Sequence, residues 1–507
     1  MDRRTGHPCG AAVPSAGLAW SIIGALIGCA VAILGALVPA ATQELDDEGP
    51  IDGLKSLSGQ NTAQADMAQS IDRVCPTLFS NQDQLSGDTA DLEDVCTVMV
   101  ATALELEDEE PLQGGEQESL GITEQETNAA LQTINGEELQ NPQQQVVEIR
   151  DTLVSSLQAR IDAIRTGTVG PGLSLAGLNL GDGDRLLAGG DLADTAILPA
   201  QWTEGTFLSR LGVFATGKVI LGDKDETSQS DRYDFQTTGL NVGIDYRLTD
   251  AFVFGGAFGY SYYDVDFDET PRSPSGQDLD SDTYAFSLFG TYTFDFGLFT
   301  DAIGTVGWAD FDSKRKIFIP NNNQANAFNG NDIVRTAEGS FDAFQYGIAA
   351  RVGYDYTPER VEGLTITPIA GIEYLKAEID GFTEKGAQGL NLEFDDFDAE
   401  SLTSNLGLEA TYSISTGIGI ITPGINGRWV HEFEDEDGPQ VIYANDPTGL
   451  SGFTITADDV DEDYGVVGAS VAAQFAGGWA AFVDYATPVG LDDFTVHQIN
   501  FGFRREF

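Results

Sequence analysis

Apolar and polar side chains alternate residue by residue along most of the chain from about position 207 to the C-terminus. In one segment, Leu240, Val242 and Ile244 alternate with polar or glycine positions. Because successive side chains of a strand point to opposite faces, this alternation predicts strands that each carry one apolar face. About twelve such segments follow one another, near residues 207–221, 233–248, 251–266, 283–295, 298–312, 341–357, 363–379, 400–415, 418–433, 461–475, 478–487 and 496–507.

The connections between these segments alternate in length. Short turns are expected at 248–250, 295–297, 416–417 and 476–477, and long acidic loops at roughly 222–232, 267–282, 313–340, 380–399 and 434–460. Short turns at one end and long loops at the other are typical of a transmembrane β-barrel, whose strands cross the bilayer at a tilt. The sequence therefore predicts a mainly β fold: a barrel of about twelve antiparallel transmembrane strands over residues 206–507, preceded by a small α-helical N-terminal region. A soluble β-sandwich is the alternative, but it would need shorter strands.

The N-terminus has the pattern of a targeting segment. Two arginines precede an apolar run from about Leu18 to Val38, and acidic residues follow directly. This arrangement predicts a secretory signal peptide over residues 1–40 that is cleaved near Ala40. One alternative is a retained membrane helix, because the run is long enough to span a bilayer. A second alternative is a lipoprotein that carries its lipid on Cys29.

Residues 41–136 form a short acidic region in which apolar side chains fall at helical spacing. These positions are Met67, Ile71, Val74 and Leu78, followed by Leu92, Val95, Val98 and Met99. The spacing predicts two short helices. Removal of the signal peptide leaves two cysteines, Cys75 and Cys96, and two cysteines in an exported chain are expected to form a disulfide. Two free, buried thiols are the alternative.

A longer helix is predicted over Pro142–Arg165. Its apolar stripe consists of Val146, Ile149, Leu153, Leu157, Ile161 and Ile164. Residues 166–200 are rich in Gly, Leu and Asp without clear periodicity, so region 137–205 is interpreted as an amphipathic helix plus a Gly-rich tether. Either the helix or the tether at 166–200 could occupy the barrel pore, and a periplasmic location is the alternative. The helix could also be an ordinary amphipathic helix or a small coiled coil.

The charge balance excludes one large class of partner. The 507 residues include 25 Lys and Arg against 81 Asp and Glu, which gives a net charge of −56. A polyanion gains no electrostatic energy from binding another polyanion, so nucleic acid is not expected as a partner.

No group of nucleophile, base and orienting acid can be placed, so the chain is not predicted to be an enzyme and no catalytic, cofactor or metal residue is assigned. Carboxylates do cluster on both sides of the last long loop, at Glu432, Glu434, Asp435, Glu436 and Asp437 and at Asp458, Asp459, Asp461, Glu462 and Asp463. Such carboxylates can bind Ca²⁺, but without the spacing of an EF-hand a solvated loop is favoured. His431 shares the parity of the lipid-facing side, which argues against catalysis by this residue.

Strand alternation also assigns each residue to the lipid or the lumen. Charged residues with lumen parity are Arg351, Arg428, Glu373, Glu409, Arg504 and Glu506, which are expected to line or plug the pore. In the last strand, the lipid-facing residues are expected to be Ile499, Phe501, Phe503 and Phe507, and the lumen-facing ones Gln498, Asn500, Gly502, Arg504 and Glu506. This strand is expected to pair with the first strand near Leu208–Lys218, because an open edge in lipid would leave backbone groups unsatisfied.

Three stretches resemble the autotransporter β-domain family, and the resemblance covers roughly residues 202–507. Residues 428–433, Arg-Trp-Val-His-Glu-Phe, resemble that family's late-strand Trp-x-His-Glu-Phe element, and residues 453–475 with 478–485 resemble its closing hairpin. The C-terminal pattern of Ile499, Phe501, Phe503 and Phe507 resembles the signal that the outer-membrane barrel-assembly machinery reads. Arg505 departs from this pattern, but an arginine near the membrane interface can extend its charged group to water.

The resemblance implies an outer-membrane protein of a Gram-negative bacterium whose C-terminal barrel helps an N-terminal passenger across the membrane. The implied partners are outer-membrane lipid and lipopolysaccharide and the barrel-assembly and export machinery, with a monomeric barrel and no cofactor. Typical passengers of the family are long β-helices with repeats, whereas residues 42–165 show neither repeats nor strands. The expected function is therefore an autotransporter-type barrel that anchors or translocates a short N-terminal segment. The alternative is a channel or structural outer-membrane protein whose N-terminal region plugs the pore or stays periplasmic.

Overall fold

A computed structural model describes nine stretches of the chain. They are residues 53–107, 118–136, 154–165, 210–227, 230–268, 276–434, 438–455, 461–476 and 478–506. The expected signal peptide and the tether at 166–200 lie outside these residues, as do Phe507 and the first part of the predicted helix at 142–165. None of the helices in the described stretches combines the length and the apolar character needed to cross a membrane.

The described C-terminal part is built from strands. In chain order these are β1 Leu211–Lys224, β2 Tyr233–Arg247, β3 Phe252–Phe267, β4 Asp278–Thr293, β5 Leu298–Ile319, β6 Ile333–Tyr354, β7 Leu364–Ile379, β8 Phe382–Thr383, β9 Leu392–Phe394, β10 Phe397–Tyr412, β11 Ile414–Thr416, β12 Gly419–Glu432, β13 Gln440–Tyr443, β14 Phe453–Thr454, β15 Asp463–Phe475, β16 Trp479–Val489 and β17 Phe494–Glu506. The twelve long strands each pair antiparallel with two neighbours and form a closed barrel. The predicted twelve-stranded antiparallel barrel is confirmed.

The barrel closes through its first and last strands. β1 pairs with β17 over thirteen residues, with Val219 opposite Ile499 and Gly217 opposite Phe501. The predicted pairing is therefore present, although the paired part of β1 begins at Gly212 and continues beyond Lys218 to Lys224. Closure leaves neither strand with an unpaired edge, which a lipid environment requires.

The outer surface of the barrel is apolar, and its inner surface is polar. Phe258, Trp308 and Leu406 are at least half exposed on the outside, whereas the alternate positions are buried in the lumen. In β17, Phe503 is 61% exposed while Arg504 is 4% exposed, so the predicted facing of the last strand is correct in the part that the structure describes. Exposed apolar side chains on this scale suit contact with lipid.

Four helices precede the barrel in the described residues: α1 Thr62–Ser80, α2 Asp88–Leu106, α3 Glu124–Asn135 and α4 Ser156–Arg165. A disulfide joins Cys75 in α1 to Cys96 in α2, as predicted. Helix α3 was not predicted, although its sequence marks both ends. Thr123 and Glu126 form a capping box at its start, and Gly136 adopts a left-handed conformation, with φ of 79°, at its end.

Three segments predicted to be long loops contain regular structure. β5 continues to Ile319 and β6 begins at Ile333, so much of 313–340 is strand. The segments 380–399 and 434–460 contribute β8, β9, β13 and β14, which form a separate four-stranded sheet. The loop prediction was wrong here because these strands lie beyond the part of the barrel in which side chains alternate between lipid and lumen. Their apolar faces are buried against α1–α3 instead.

Candidate functional site: the lumen and the mouth of the barrel

Helix α4 lies inside the barrel. Its apolar residues Leu157, Ile161 and Ile164, with Val154 just before the helix, pack with Phe214, Val253, Ala257, Phe289, Ile303 and Ala349 of the inner wall. All six wall residues belong to β1 and β3–β6, so the helix leans on one half of the lumen. The pore location, one of the alternatives left open by the sequence, is the observed one for residues 154–165.

An ion pair fixes the middle of α4 to β2. Arg160 contacts the carboxylate of Asp245, and both side chains are 2% exposed. Arg504 of β17 lies 3.4 Å from the other oxygen of Asp245. The guanidinium of Arg160 also lies 5.1 Å from the ring centre of Phe214. A carboxylate buried this deeply is stable only with such partners, because removing one of them leaves an uncompensated charge.

A second group of charges holds the end of α4. Asp162 accepts hydrogen bonds from Arg351 at 2.9 Å and from Arg165 at 3.0 Å. Arg351 also contacts Asp301 at 2.8 Å, and Arg165 contacts Asp355 at 2.7 Å. Each cation therefore has two acidic partners, and the helix is tied directly to β6 and to the residue that follows β6, with Asp301 of β5 supporting Arg351.

Polar contacts continue along the same helix. Gln158 donates to Glu373 of β7 at 2.9 Å. Lys218 of β1 donates to Ser155 at 2.9 Å, and Asn241 of β2 donates to Ser156 at 2.6 Å. The lumen side chains therefore recognise both polar and charged positions of α4.

These contacts also give the direction of α4. Its last residue, Arg165, reaches Asp355, whose backbone N–H donates to Gly297 in the short β4–β5 turn. Ser155, directly before the first turn, contacts Lys218. Leu211 lies at the short-turn end of β1, and Lys218 lies seven residues away from that end. The helix thus runs from the long-loop end of the barrel towards the short-turn end.

The other half of the lumen contains a cavity of about 170 Å³. It lies between α4 and β7, β10, β12 and β15–β17, and its polar lining includes Asn405, Glu409, Asn426, Arg428 and Asp484. Of the charged residues predicted to face the lumen, Arg351 and Glu373 bind α4, Arg504 binds Asp245, and Glu409 and Arg428 line this cavity. The side chain of Glu506 lies outside the described residues.

The acidic residues around α4 were not predicted from the sequence. Asp245, Asp301 and Asp355 lie on or after three different strands, and only the closed barrel brings them near one helix. Asp245 and Asp355 contact the helix directly, whereas Asp301 contacts it through Arg351. The sequence signal that could have identified such residues is an acidic side chain at a lumen position of an otherwise apolar strand. Asp245 and Asp301 both fit this description.

Helices α1–α3 pack on the long-loop end of the barrel, which we call the mouth: the ends of β5 and β6 together with the sheet of β8, β9, β13 and β14. Arg335 of β6 donates through Nη2 to Asp91 of α2 at 2.7 Å. The other oxygen of Asp91 accepts from the backbone N–H of Gly389 at 2.9 Å. One carboxylate in the first turn of α2 therefore bridges two segments of the mouth.

Arg315 of β5 makes the corresponding contact with α3. Its Nη1 donates to the carbonyls of Thr133 at 3.3 Å and Ile134 at 2.9 Å, in the last turn of the helix. Its Nε donates to Glu384 at 3.0 Å, and both charged side chains are under 5% exposed. A cation at a helix C-terminus satisfies carbonyls that have no partner within the helix.

The four-stranded sheet supports α1. Ser70 of α1 donates to the carbonyl of Ser451, and Tyr443 of β13 lies 3.1 Å from the sulfur of Met67. Four stacked phenylalanines connect the barrel wall with this sheet: Phe311, Phe341, Phe382 and Phe394, with ring centres 4.9, 4.5 and 4.5 Å apart in that order. The mouth is thus a packed structure rather than a set of separate loops.

Asp446 stabilises the turn that presents Ser451 to α1. Its carboxylate accepts from the backbone and hydroxyl of Thr448 at 2.7 and 2.6 Å and from the backbone of Ser451 at 3.0 Å. Burial alone would raise the pKa of Asp446, but these hydrogen bonds outweigh it and hold the pKa below its usual value.

The acidic loop near His431 was considered above as a Ca²⁺ site and not assigned. His431 lies on the outer face between Trp429 and Phe433, with ring centres 5.9 and 4.4 Å away. Its Nδ1 is 3.0 Å from Asp463, and Glu462 is close enough for the three side chains to approach one ion. Both carboxylates are exposed, and this arrangement is common without a metal, so no metal site is assigned here.

Comparisons with known proteins agree with this architecture. Over residues 213–486, more than half of the chain, the sequence matches the family model described as the autotransporter beta-domain. The esterase EstA of Pseudomonas aeruginosa is 25% identical over 241 residues, which are 48% of this chain and 34% of EstA. Outer membrane protein B of Rickettsia japonica is 29% identical over 161 residues, which are 31% of this chain and 9% of that protein. The match thus spans about a third of these relatives or less.

Solved autotransporter barrels are similar as well. The translocator domain of NalP from Neisseria meningitidis covers 59% of this chain and 89% of its own, with 14% identity and a TM-score of 0.44. The β-domain of BrkA from Bordetella covers 59% of this chain and all of its own, with 18% identity and a TM-score of 0.41. On the strength of the family match, the chain belongs to the autotransporter β-domain family, and its C-terminal part is an outer-membrane translocator barrel of a Gram-negative bacterium.

Proposed function

We propose that this barrel carries its own helical region, residues 53–136, to the cell surface and anchors it there. The observation that carries the proposal is the path of the chain. The helical region packs at the mouth, α4 passes down the lumen towards the short-turn end, and β1 begins at that same end. Leu211 of β1 pairs with Tyr246, next to the short turn that follows β2.

The orientation of the barrel in the membrane determines on which side the helical region lies. In outer-membrane barrels the short turns face the periplasm and the long loops face outwards. The mouth would then be extracellular, and so would the helical region that packs on it. The passenger proposed here is a small helical, disulfide-linked segment rather than the long β-helix typical of the family.

We propose a non-enzymatic role for the helical region. EstA is an esterase by name, but the match to it covers only 34% of its length. The three histidines of this chain are His7, His431 and His497, so the helical region contains no histidine to act as a general base. Display of an acidic surface is the role that its composition supports.

The last strand is proposed as the contact with the barrel-assembly machinery. Ile499, Phe501 and Phe503 form an exposed row on its outer face. Phe507 would complete the row by strand alternation. Deleting Phe507 should lower the outer-membrane level of the protein more than its stability once assembled, because a strand that lacks one terminal residue can still pair.

A channel is the second candidate function, favoured by the cavity of about 170 Å³ beside α4. If α4 is a plug in an open channel, its removal should raise ion conductance in planar bilayers, and the helical region should have no role at the surface.

Protease treatment of intact cells tests surface display. An epitope inserted after Gly53 should be digested on intact cells. A matched epitope inserted after Phe296, in the short β4–β5 turn, should be digested only after the outer membrane is permeabilised. Protection of the Gly53 epitope on intact cells, with digestion after permeabilisation, would contradict the proposal.

A further inference from the structure

We infer that the mouth of the barrel is a binding surface for the helical region, and that this region stays on its barrel without a covalent connection. The partner that the mouth fits is thus residues 53–136 of the same chain. The inference rests on the proposed surface display and goes beyond it, because a displayed segment can equally be released.

The apolar core is continuous from the helices into the mouth. Met67, Leu92 and Ile134 of the helices belong to the same buried cluster as Ile317 and Phe394 of the mouth. All five side chains are at most 2% exposed. Interfaces as apolar as a domain core are typical of obligate complexes, whereas the interfaces of transient partners are more polar.

The described surface of the helices that does not contact the mouth exposes little apolar area. Among their described residues, Leu106 is the one large apolar side chain that is well exposed, at 40%. The other large apolar side chains of this region are therefore buried or partly buried, either between the helices or against the mouth. Separating the helices from the mouth would expose the apolar side chains at the contact to water, at a cost of about 25 cal/mol for each Å² uncovered.

Charged and polar groups pair across the contact between the helices and the mouth. Arg335 and Gly389 both donate to Asp91, and Arg315 donates to two carbonyls at the end of α3. Loss of the helical region would leave Arg315, now 3% exposed, without two of its acceptors. Breaking a buried polar contact from one side is costly because the other side stays unpaired.

Gly389 lies against the backbone of α2 without room for a side chain. A Cβ atom added to this glycine would lie 2.7 Å from the carbonyl oxygen of Asp88 and 2.7 Å from the Cα of Leu92. Both atoms belong to the α2 backbone and cannot move aside as the end of a flexible side chain can. The mouth therefore approaches the helix so closely that only glycine fits at this position.

Retention can be measured by cutting the chain. A site for a sequence-specific protease is inserted between Gln140 and Asn141 of the full-length protein, and isolated outer membranes, in which both faces are accessible, are digested and sedimented. We expect most of the N-terminal fragment to sediment with the membranes. Gly389→Ala and Asp91→Asn should shift it at least several-fold towards the supernatant. The matched controls Gly417→Ala, at a glycine with open space around it, and Asp83→Asn, at an exposed carboxylate, should not.

The outcomes separate this inference from the proposed display. Release of the fragment from the unsubstituted barrel upon cutting would overturn retention. Equal retention in all five proteins would overturn the mouth as the binding surface. The same digestion on intact cells tests display: no cutting there, together with cutting and retention in isolated membranes, would contradict surface display and leave the binding surface supported.

Discussion

Arg160 in the lumen helix and Asp245 in β2 form an ion pair in which both side chains are 2% exposed. The pair connects a helix to a barrel wall that lies 85 residues farther along the chain. Since Arg504 also lies 3.4 Å from Asp245, one carboxylate contacts two cations that are far apart in the sequence.

Replacing Asp245 should therefore destabilise the barrel strongly. Asp245→Ala would leave Arg160 and Arg504 buried without their shared partner, at a cost of about 3–5 kcal/mol. The temperature at which the folded form disappears in heat-modifiable gel electrophoresis measures this loss. The matched control is Asp234→Ala in the same strand, whose side chain is exposed and should change stability by less than about 0.5 kcal/mol. Equal melting of both variants would contradict the role given to the pair.

Asp162 and Arg351 should be energetically coupled. A double-mutant cycle with Asp162→Asn and Arg351→Met should give a coupling of about 1–3 kcal/mol, because the two residues share a partly buried contact at 2.9 Å inside the lumen. The exposed pair of Lys314 and Asp278, at 3.0 Å, is a suitable comparison and should couple by less than about 1 kcal/mol. Chemical unfolding of the purified barrel provides both values. A lumen pair coupled no more strongly than the surface pair would show that α4 is not held by these charges.

A charge on the lipid face of β17 should impair assembly more than one in the lumen. Gly502 faces the lumen but is a poor site for the comparison, because a Cβ atom there would clash with the ring of Phe482. Gln498, 5% exposed in the lumen, is the better site. Phe503→Asp should lower the outer-membrane level several-fold relative to Gln498→Asp, since a charge facing lipid costs up to about 2–4 kcal/mol. A lower level for Gln498→Asp would mean that the facing of the strand is inverted.

The contribution of Asp446 to stability should depend on pH. Its pKa is lower in the folded state than in the unfolded chain, so its stabilising effect is present above the unfolded value, about 3.9, and is lost as the pH falls through the lower folded value. Asp446→Asn should thus weaken the mouth at neutral pH, and the difference from the unsubstituted protein should shrink in acid. Protease resistance of the mouth, measured between about pH 7 and pH 3, reports both effects. If the difference in protease resistance between the two proteins does not change with pH, the pKa of Asp446 is not lowered in the folded state.

Removing the disulfide should destabilise α1 and α2 without affecting the barrel. The bridge joins residues 21 apart, and closing a loop of this size contributes about 3 kcal/mol in the chain-entropy estimate. Cys75→Ser combined with Cys96→Ser should make the helical region several-fold more sensitive to protease while the heat-modifiable behaviour of the barrel stays unchanged. If the helical region loses its protease resistance and the barrel also loses its heat-modifiable behaviour, the barrel depends on the folded helices.

The barrel could be predicted from the sequence because its strands obey a simple two-residue alternation, seen clearly at Leu240, Val242 and Ile244. The mouth could not, since Ile317 and Phe382 face a helical region that is distant in sequence, and alternation identifies a buried face without identifying what covers it. The stripe through Leu157 and Ile161 predicted a helix but left its location open. A helix packed on a lumen wall and a helix packed on another helix need the same apolar stripe.

The position of α4 also has a mechanical consequence. Any outward pull on the helical region is transmitted along the helix axis, and the contacts of Arg160, Asp162 and Arg165 with the wall fall within six consecutive residues. A force along this axis loads these contacts together, in shear, instead of breaking them one after another. If the helical region is displayed as proposed, the helix would connect it to the barrel wall at several points, and a force on that region would be shared among several strands.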